Sequence, residues 1–283
     1  MRRKQLAKHL DKRELISSGL LIKYHSKRPP DKNTKRRLSE AAGVACSVMR
    51  KTVWEIDKVC LFYRDERDLM TRVLDAHFGF KNIATLSSAK DAKNKLVNAK
   101  ARRNWLGMIR RNMLSISFHL NTGMYLLDTD AGHRTIVGDN EVDNMSAGWS
   151  GDRVYDAQGN EVVDPADPTK LLLQPKTNPQ GKRVLSSLIE AYAQTGTSGP
   201  VHVSFELAKT FSPLQFARLI VHEASHTFCG TTDVYYAHAK AEYYAEKPLR
   251  MITNADSYAY AAVSIASKTL HDYDSLQGAA YTS

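Results

Sequence analysis

Ser212-Pro213-Leu214-Gln215-Phe216-Ala217-Arg218-Leu219-Ile220-Val221-His222-Glu223-Ala224-Ser225-His226-Thr227-Phe228-Cys229-Gly230 is the stretch on which the reading of this chain turns. It opens with a helix start signal: serine as N-cap, proline at the first helical position, and glutamine three residues after the cap. Gly230 supplies a C-terminal stop. Between them Leu214, Ala217, Val221, Ala224 and Phe228 form one apolar stripe. His222 and His226 stand four residues apart on another face, so both imidazoles can point at one ion. Glu223 is offset around the helix and can reach a water on that ion without ligating it. The spacing suits a metal-activated nucleophile and its general base, with Zn2+ as the ion. A purely structural zinc site usually fills four positions with Cys and His, and no fourth such residue stands nearby.

Downstream lies Gly230-Thr231-Thr232-Asp233-Val234-Tyr235-Tyr236-Ala237. A tight turn there would carry Asp233 back towards the histidines as a third ligand. Glu242 and Glu246, sixteen and twenty residues after His226, compete for that place. Tyr235 and Tyr236 both offer a phenol close to the same point.

With these residues in view, the chain resembles the aspzincins, the deuterolysin-like metallopeptidases that include the peptidyl-Lys endopeptidases of fungi. Their pattern of HExxH followed by GTxDxxYG reads here as HEASH followed by GTTDVYYA. Asn254-Ala255-Asp256-Ser257-Tyr258 is similar to a third family segment. The resemblance is carried by residues 222–258 and extends weakly back to about residue 70. It implies a zinc endopeptidase acting on a protein or peptide, with His222, His226 and Asp233 as metal ligands and Glu223 as base. It gives Tyr236 the task of steadying an oxyanion or donating a proton. It sets Asp256 beside the pocket for the residue after the scissile bond, with a basic side chain preferred there. Asp256 also suits the first turn of a helix over Ser257–Leu270, where a negative charge complements the dipole. Two positions depart from the pattern. Ala237 replaces a glycine, and Ala259 stands where the lysine-specific members carry a glutamate.

The bulk properties fit a soluble globular chain, with 283 residues, 42% hydrophobic and 25% charged. No apolar run approaches the ~20 residues that span a bilayer. Charges interrupt every apolar stretch in the first thirty residues, so no Sec-type signal is expected. A cytoplasmic protein and one exported by a specialised secretion machine, such as an effector or toxin, are the two expectations. Cys46, Cys60 and Cys229 match neither a disulfide framework nor a Cys-based zinc site and read as free thiols. The net charge of +10 is concentrated: residues 1–51 carry fifteen Lys/Arg against four Asp/Glu, and the remainder is close to neutral. That distribution argues against nucleic acid as the main partner. Two other classes stay open at this point: a catalytically silent zincin-fold binding protein, and a nucleic-acid binder acting through the basic terminus.

The expected organisation is a basic N-terminal arm over 1–47 and a zincin-like α+β domain over 48–283. Within the domain, 48–113 is helical and 114–283 carries the catalytic part, a small twisted sheet over the HExxH helix. Helical periodicity runs from about 48 to 78, closed by Phe78-Gly79, and from about 88 to 113. Ile116–Leu120 and Gly123–Leu127 read as strands, and Arg153–Tyr155 with Glu161–Val163 as a hairpin. A proline-rich loop is expected over 164–181 and a helix near 183–194. Val201–Phe205 is expected as an edge strand that could align an extended peptide, with His202 at the surface.

Overall fold

The computed structural model describes residues 10, 12–24, 26, 29–60, 68–81, 92–128, 199–237 and 240–277. It also describes the short strands at 151–153, 163–164, 167–171, 173–175 and 191–192. The side chains of 92–99, of those short strands, and of 68 and 206 lie outside the description.

The first described elements are an antiparallel hairpin, β1 (Lys12–Ser17) and β2 (Leu20–Tyr24), turned at Gly19 with a positive φ of 79°. Leu20, Ile22 and Tyr24 alternate with half-buried residues, the period-two pattern of a strand with one face in the core. Helix α1 (Lys32–Cys60) follows. Its first turn is capped by Asp31, whose Oδ1 accepts from the Thr34 amide at 2.6 Å. Leu38, Ala41, Ala42, Ala45, Val48, Met49, Thr52 and Ile56 repeat every three or four residues and are buried.

These elements correct the expected division at residue 47. Residues 12–24 and 32–47 are not a solvated arm; they supply two sheet strands and half of a core helix. The basic residues conceal this, because the apolar positions between them are few and partly alanine. The Pro29-Pro30 pair precedes the Asp31 cap, where the missing amides cost no helical bond.

Helix α2 (Asp68–Phe78) stops at Gly79, with φ at 64°, where a Cβ would collide with the Glu246 carbonyl oxygen. Residues 61–67, inside the expected 48–78 helix, lie outside the described residues. Helix α3 (Ala92–Thr122) runs past the expected end at 113 and absorbs the strand expected at Ile116–Leu120. Ile109, Met113, Ile116 and Leu120 are all buried at helical spacing, so the β-branched and aromatic residues of that segment pack as a continued helix stripe.

Strand β3 (Met124–Asp128) pairs in parallel with β2, matching the strand expected there. β4 (Gly151–Arg153) pairs with β7 (Leu173–Pro175), and β5 (Val163–Asp164) with β6 (Asp167–Leu171). Arg153 therefore faces Leu173 instead of the Glu161–Val163 segment, and the expected proline-rich loop contains two strands. Edge ribbons of two strands tolerate Pro168 and Pro175, because one side of each strand has no ladder to break. β8 (Ala191–Tyr192) lies where part of a helix was expected, and 183–190 and 193–194 lie outside the described residues.

The main sheet has the order β1-β2-β3-β9-β8, with β9 at Val201–Val203. β9 is parallel to β3 and antiparallel to β8, so it is internal, and among the described residues β8 is an edge of the sheet. His202 is accordingly buried, and burial holds its pKa down at about 4. A short 3-10 turn (Phe205–Lys209) leads into α4 (Pro213–Cys229). Then come α5 (Lys240–Ala245), α6 (Pro248–Met251), α7 (Ala255–Ser267) and α8 (Tyr273–Gln277). The class is α+β, as the sequence predicts: a small mixed sheet with helices. α4 lies at the centre, packed on α1, α3, α7 and the β9–β8 end of the sheet. No helix among the described residues is long and apolar enough to cross a membrane.

Candidate metal centre

The start and stop read from the sequence of α4 are both present. Ser212 Oγ accepts from the Gln215 amide, and Gln215 Oε1 accepts from the Ser212 amide, closing a capping box. Gly230 adopts the left-handed conformation, with φ at 67°, and sends the chain back across the end of the helix. That reversal brings the Thr231 carbonyl to His226, whose Nδ1 donates to it at 2.7 Å. His222 is held in the same sense. Its Nδ1 donates to Asp256 Oδ1 at 2.8 Å. With both Nδ1 atoms committed, the two Nε2 atoms are the ones turned to a common point.

Asp233 completes that point. Its Oδ1 is 3.2 Å from His222 Nε2 and 3.2 Å from His226 Nε2, and the two Nε2 atoms are themselves 3.2 Å apart. Ligand atoms held at 2.0–2.1 Å around a tetrahedral ion are about 3.3–3.4 Å from one another. The near-equilateral triangle in this chain therefore has the size a zinc-like ion requires, and His222, His226 and Asp233 form a group able to hold a metal. Glu242 is exposed and Glu246 pairs with Arg250 at 2.9 Å, so neither joins the group.

The electrostatics point the same way. Burial opposes a charge on His222, but the carboxylates of Asp233 and Asp256 outweigh it and hold its pKa up at about 10. His226 is raised as well, with Asp233 again overcoming burial. For Asp233 burial acts upward and the two imidazoles draw its pKa well below the usual carboxylate range. The meeting point of the three atoms thus favours positive charge.

Glu223 lies beside the triangle, with Oε1 3.7 Å from His222 Nε2. Burial lifts its pKa to about 7, against the downward pull of the histidines. Its Oε2 is buried with no protein hydrogen-bond partner, which is uncommon for a buried carboxylate oxygen. The Tyr236 ring stacks on His222 with centroids 6.4 Å apart, and the residue is 45% exposed. Burial and the neighbouring Asp233 charge raise its pKa, so the phenol stays protonated and can donate. Tyr235 turns away, under the Arg250 guanidinium. Ala237 does not have a positive φ, so the methyl group that replaces the expected glycine meets no backbone penalty.

Asp256 is buried behind His222, at 4% exposure. Oδ1 takes His222 Nδ1 and the Arg218 guanidinium, at 3.3 Å, while Oδ2 takes the Ala237 amide at 2.7 Å. Burial raises its pKa, but His222 and Arg218 bring it below the ordinary value. Three of the roughly four acceptor sites of this carboxylate are thus taken up inside the fold. Sequence reasoning did not single out Arg218, Thr231 or Asn254. Arg218 had a usable signal, standing one helical turn before His222. Comparison with known protein families, with curated proteins and with solved structures gives no match.

Proposed function

We propose that the chain is a zinc endopeptidase of the aspzincin type, and that α4 and the turn after it form its active site. The observation that supports this best is the 3.2 Å triangle of His222 Nε2, His226 Nε2 and Asp233 Oδ1 beside an unpartnered oxygen of Glu223. Held by His222, His226 and Asp233, a zinc ion would supply Lewis acidity to activate water and polarise a peptide carbonyl. The remaining work falls to side chains. Glu223, with a pKa of about 7, is suited to take a proton near neutral pH and return it to the leaving amine. Tyr236 keeps its hydroxyl proton and offers it to the developing oxyanion. An extended substrate fits best along β8, the antiparallel edge beside α4, where main-chain pairing would fix its direction.

The test is zinc analysis of purified protein joined to digestion of a peptide library. One zinc per chain, cleavage abolished by a chelator and restored by Zn2+, is the expected result. Cleavage that persists after complete zinc removal overturns the proposal.

A further inference from the structure

The metal-binding group draws on two segments with different mechanical support. His222 and His226 sit on a helix whose backbone ladder fixes them. Asp233 and Tyr236 sit on the 231–237 turn, which has no regular structure of its own. The segment 253–256, just before and at the start of α7, is bonded along that turn. Thr232 N–H donates to the Thr253 carbonyl at 2.8 Å, and Ala255 N–H to the Thr232 carbonyl at 3.0 Å. Asn254, fully buried, accepts on Oδ1 from the amides of Val234 at 3.1 Å and Tyr235 at 3.3 Å. Its Nδ2 donates to Ser257 Oγ at 3.1 Å, which fixes the orientation of the amide. Asp256 then accepts from the Ala237 amide on one oxygen and from His222 Nδ1 on the other.

We propose that Asn254 and Asp256 are positioning residues that lock the turn carrying Asp233 and Tyr236 to the helix carrying His222. This rests on the reading of His222, His226 and Asp233 as a metal centre. The three groups around Asp256 are the His222 Nδ1, the Arg218 guanidinium and the Ala237 amide, and all three donate. Only a carboxylate accepts on both of its oxygens. An asparagine at this position has one accepting oxygen and one NH2, so in either orientation a donor meets a donor. If the NH2 faces His222, the ring loses the bond that keeps Nε2 turned to the metal. If it faces Ala237, the turn is released at its C-terminal end. The two sides of the site are thus coupled through one residue that lies outside the metal-binding group.

The experiment uses the full chain and the variants Asp256→Asn, Asn254→Ala and Asn254→Asp. In metal-free parent protein, ¹⁵N-histidine NMR should find a slowly exchanging Nδ1 proton on His222, and the amides of Val234, Tyr235 and Ala237 should exchange slowly. Asp256→Asn should lose the His222 signal or the Ala237 protection, and its affinity for Zn2+ alone should fall by about 10–100-fold. Asn254→Ala should release the Val234 and Tyr235 amides and lose affinity to a similar degree. Asn254→Asp keeps an oxygen for both amides and should recover protection and most of the affinity, which a loss of packing alone would not predict. A folded Asp256→Asn protein that keeps the His222 proton, the Ala237 protection and parental zinc affinity overturns the proposal. So does Asn254→Asp behaving like Asn254→Ala. If Asp256→Asn does not fold, the Asn254 pair decides. A parent chain that binds no zinc ends the metal-centre reading, while the exchange data still decide whether the lock exists.

Discussion

Asp233 is the residue at which the ligand geometry and the local charge converge, since one oxygen lies 3.2 Å from both histidine Nε2 atoms. Asp233→Ala should therefore lower zinc affinity sharply, while Glu242→Ala and Glu246→Ala should leave it unchanged. Metal titration of the three proteins reads this directly, and tight binding retained in Asp233→Ala contradicts the ligand assignment. Tyr236→Phe removes only a hydroxyl, so zinc content should hold while turnover falls on the order of 100-fold, the scale of losing one oxyanion donor. Tyr235→Phe should do much less, because that ring lies under Arg250. A reversed order would move the role by one position. Much of this was legible in the sequence. The His222–His226 pair is set by helical spacing, and Gly230 announces the turn that returns Asp233. Asp256 was legible as a position, but its hydrogen-bond partners were not. Its environment depends on Arg218 and Ala237, which a pattern match does not weigh.

At the scale of elements, the capping signals of α4 were reliable and the strand readings were less so. The capping box and glycine stop of α4 act within four residues of one another, so the sequence contains them whole. The pairing of β9 with β8 depends on a two-residue strand that carries no periodicity, so the sequence alone makes β9 an edge and His202 a surface residue. His77, on α2, shows a related consequence of packing. It is fully buried against Tyr243, stacked on Tyr260 and close to Ser264 of α7. Burial holds its pKa at about 4, below the ordinary 6.5, despite the opposing pull of Asp256. The unfolded chain then takes up this proton as pH falls through 6.5, and the native state does so only near 4. Stability is therefore lost as pH falls across that window, by up to about 3 kcal/mol from this residue. Urea unfolding at about pH 7 and about pH 4.5 should show a smaller loss in His77→Gln than in the parent. Equal losses in the two proteins contradict this account of His77.

Over the whole molecule, the sheet and α1 make residues 12–24 and 32–50 part of the fold. Leu20, Ile22, Tyr24 and Leu38 are all buried, with Ala41, Ala42 and Ala45 beside them. Burial of one large apolar side chain contributes about 1.5–3 kcal/mol, so losing four approaches or exceeds the roughly 5–15 kcal/mol of a typical domain. A chain starting at Ser47 should show no cooperative unfolding transition by circular dichroism, whereas a native-like transition would restore the separable arm. The architecture was only half legible for this reason. Helical periods survive in a basic segment, but which strands a helix packs beneath is decided by residues a hundred positions away.

The central claim is that this fold holds a metal and Glu223 together for hydrolysis, and one measurement separates the two roles. Zinc-loaded Glu223→Gln keeps all three ligands and loses the base. It should carry one zinc per chain and cleave peptides about 100- to 10,000-fold more slowly than the parent. Cleavage at the parental rate by that zinc-loaded variant would contradict the account.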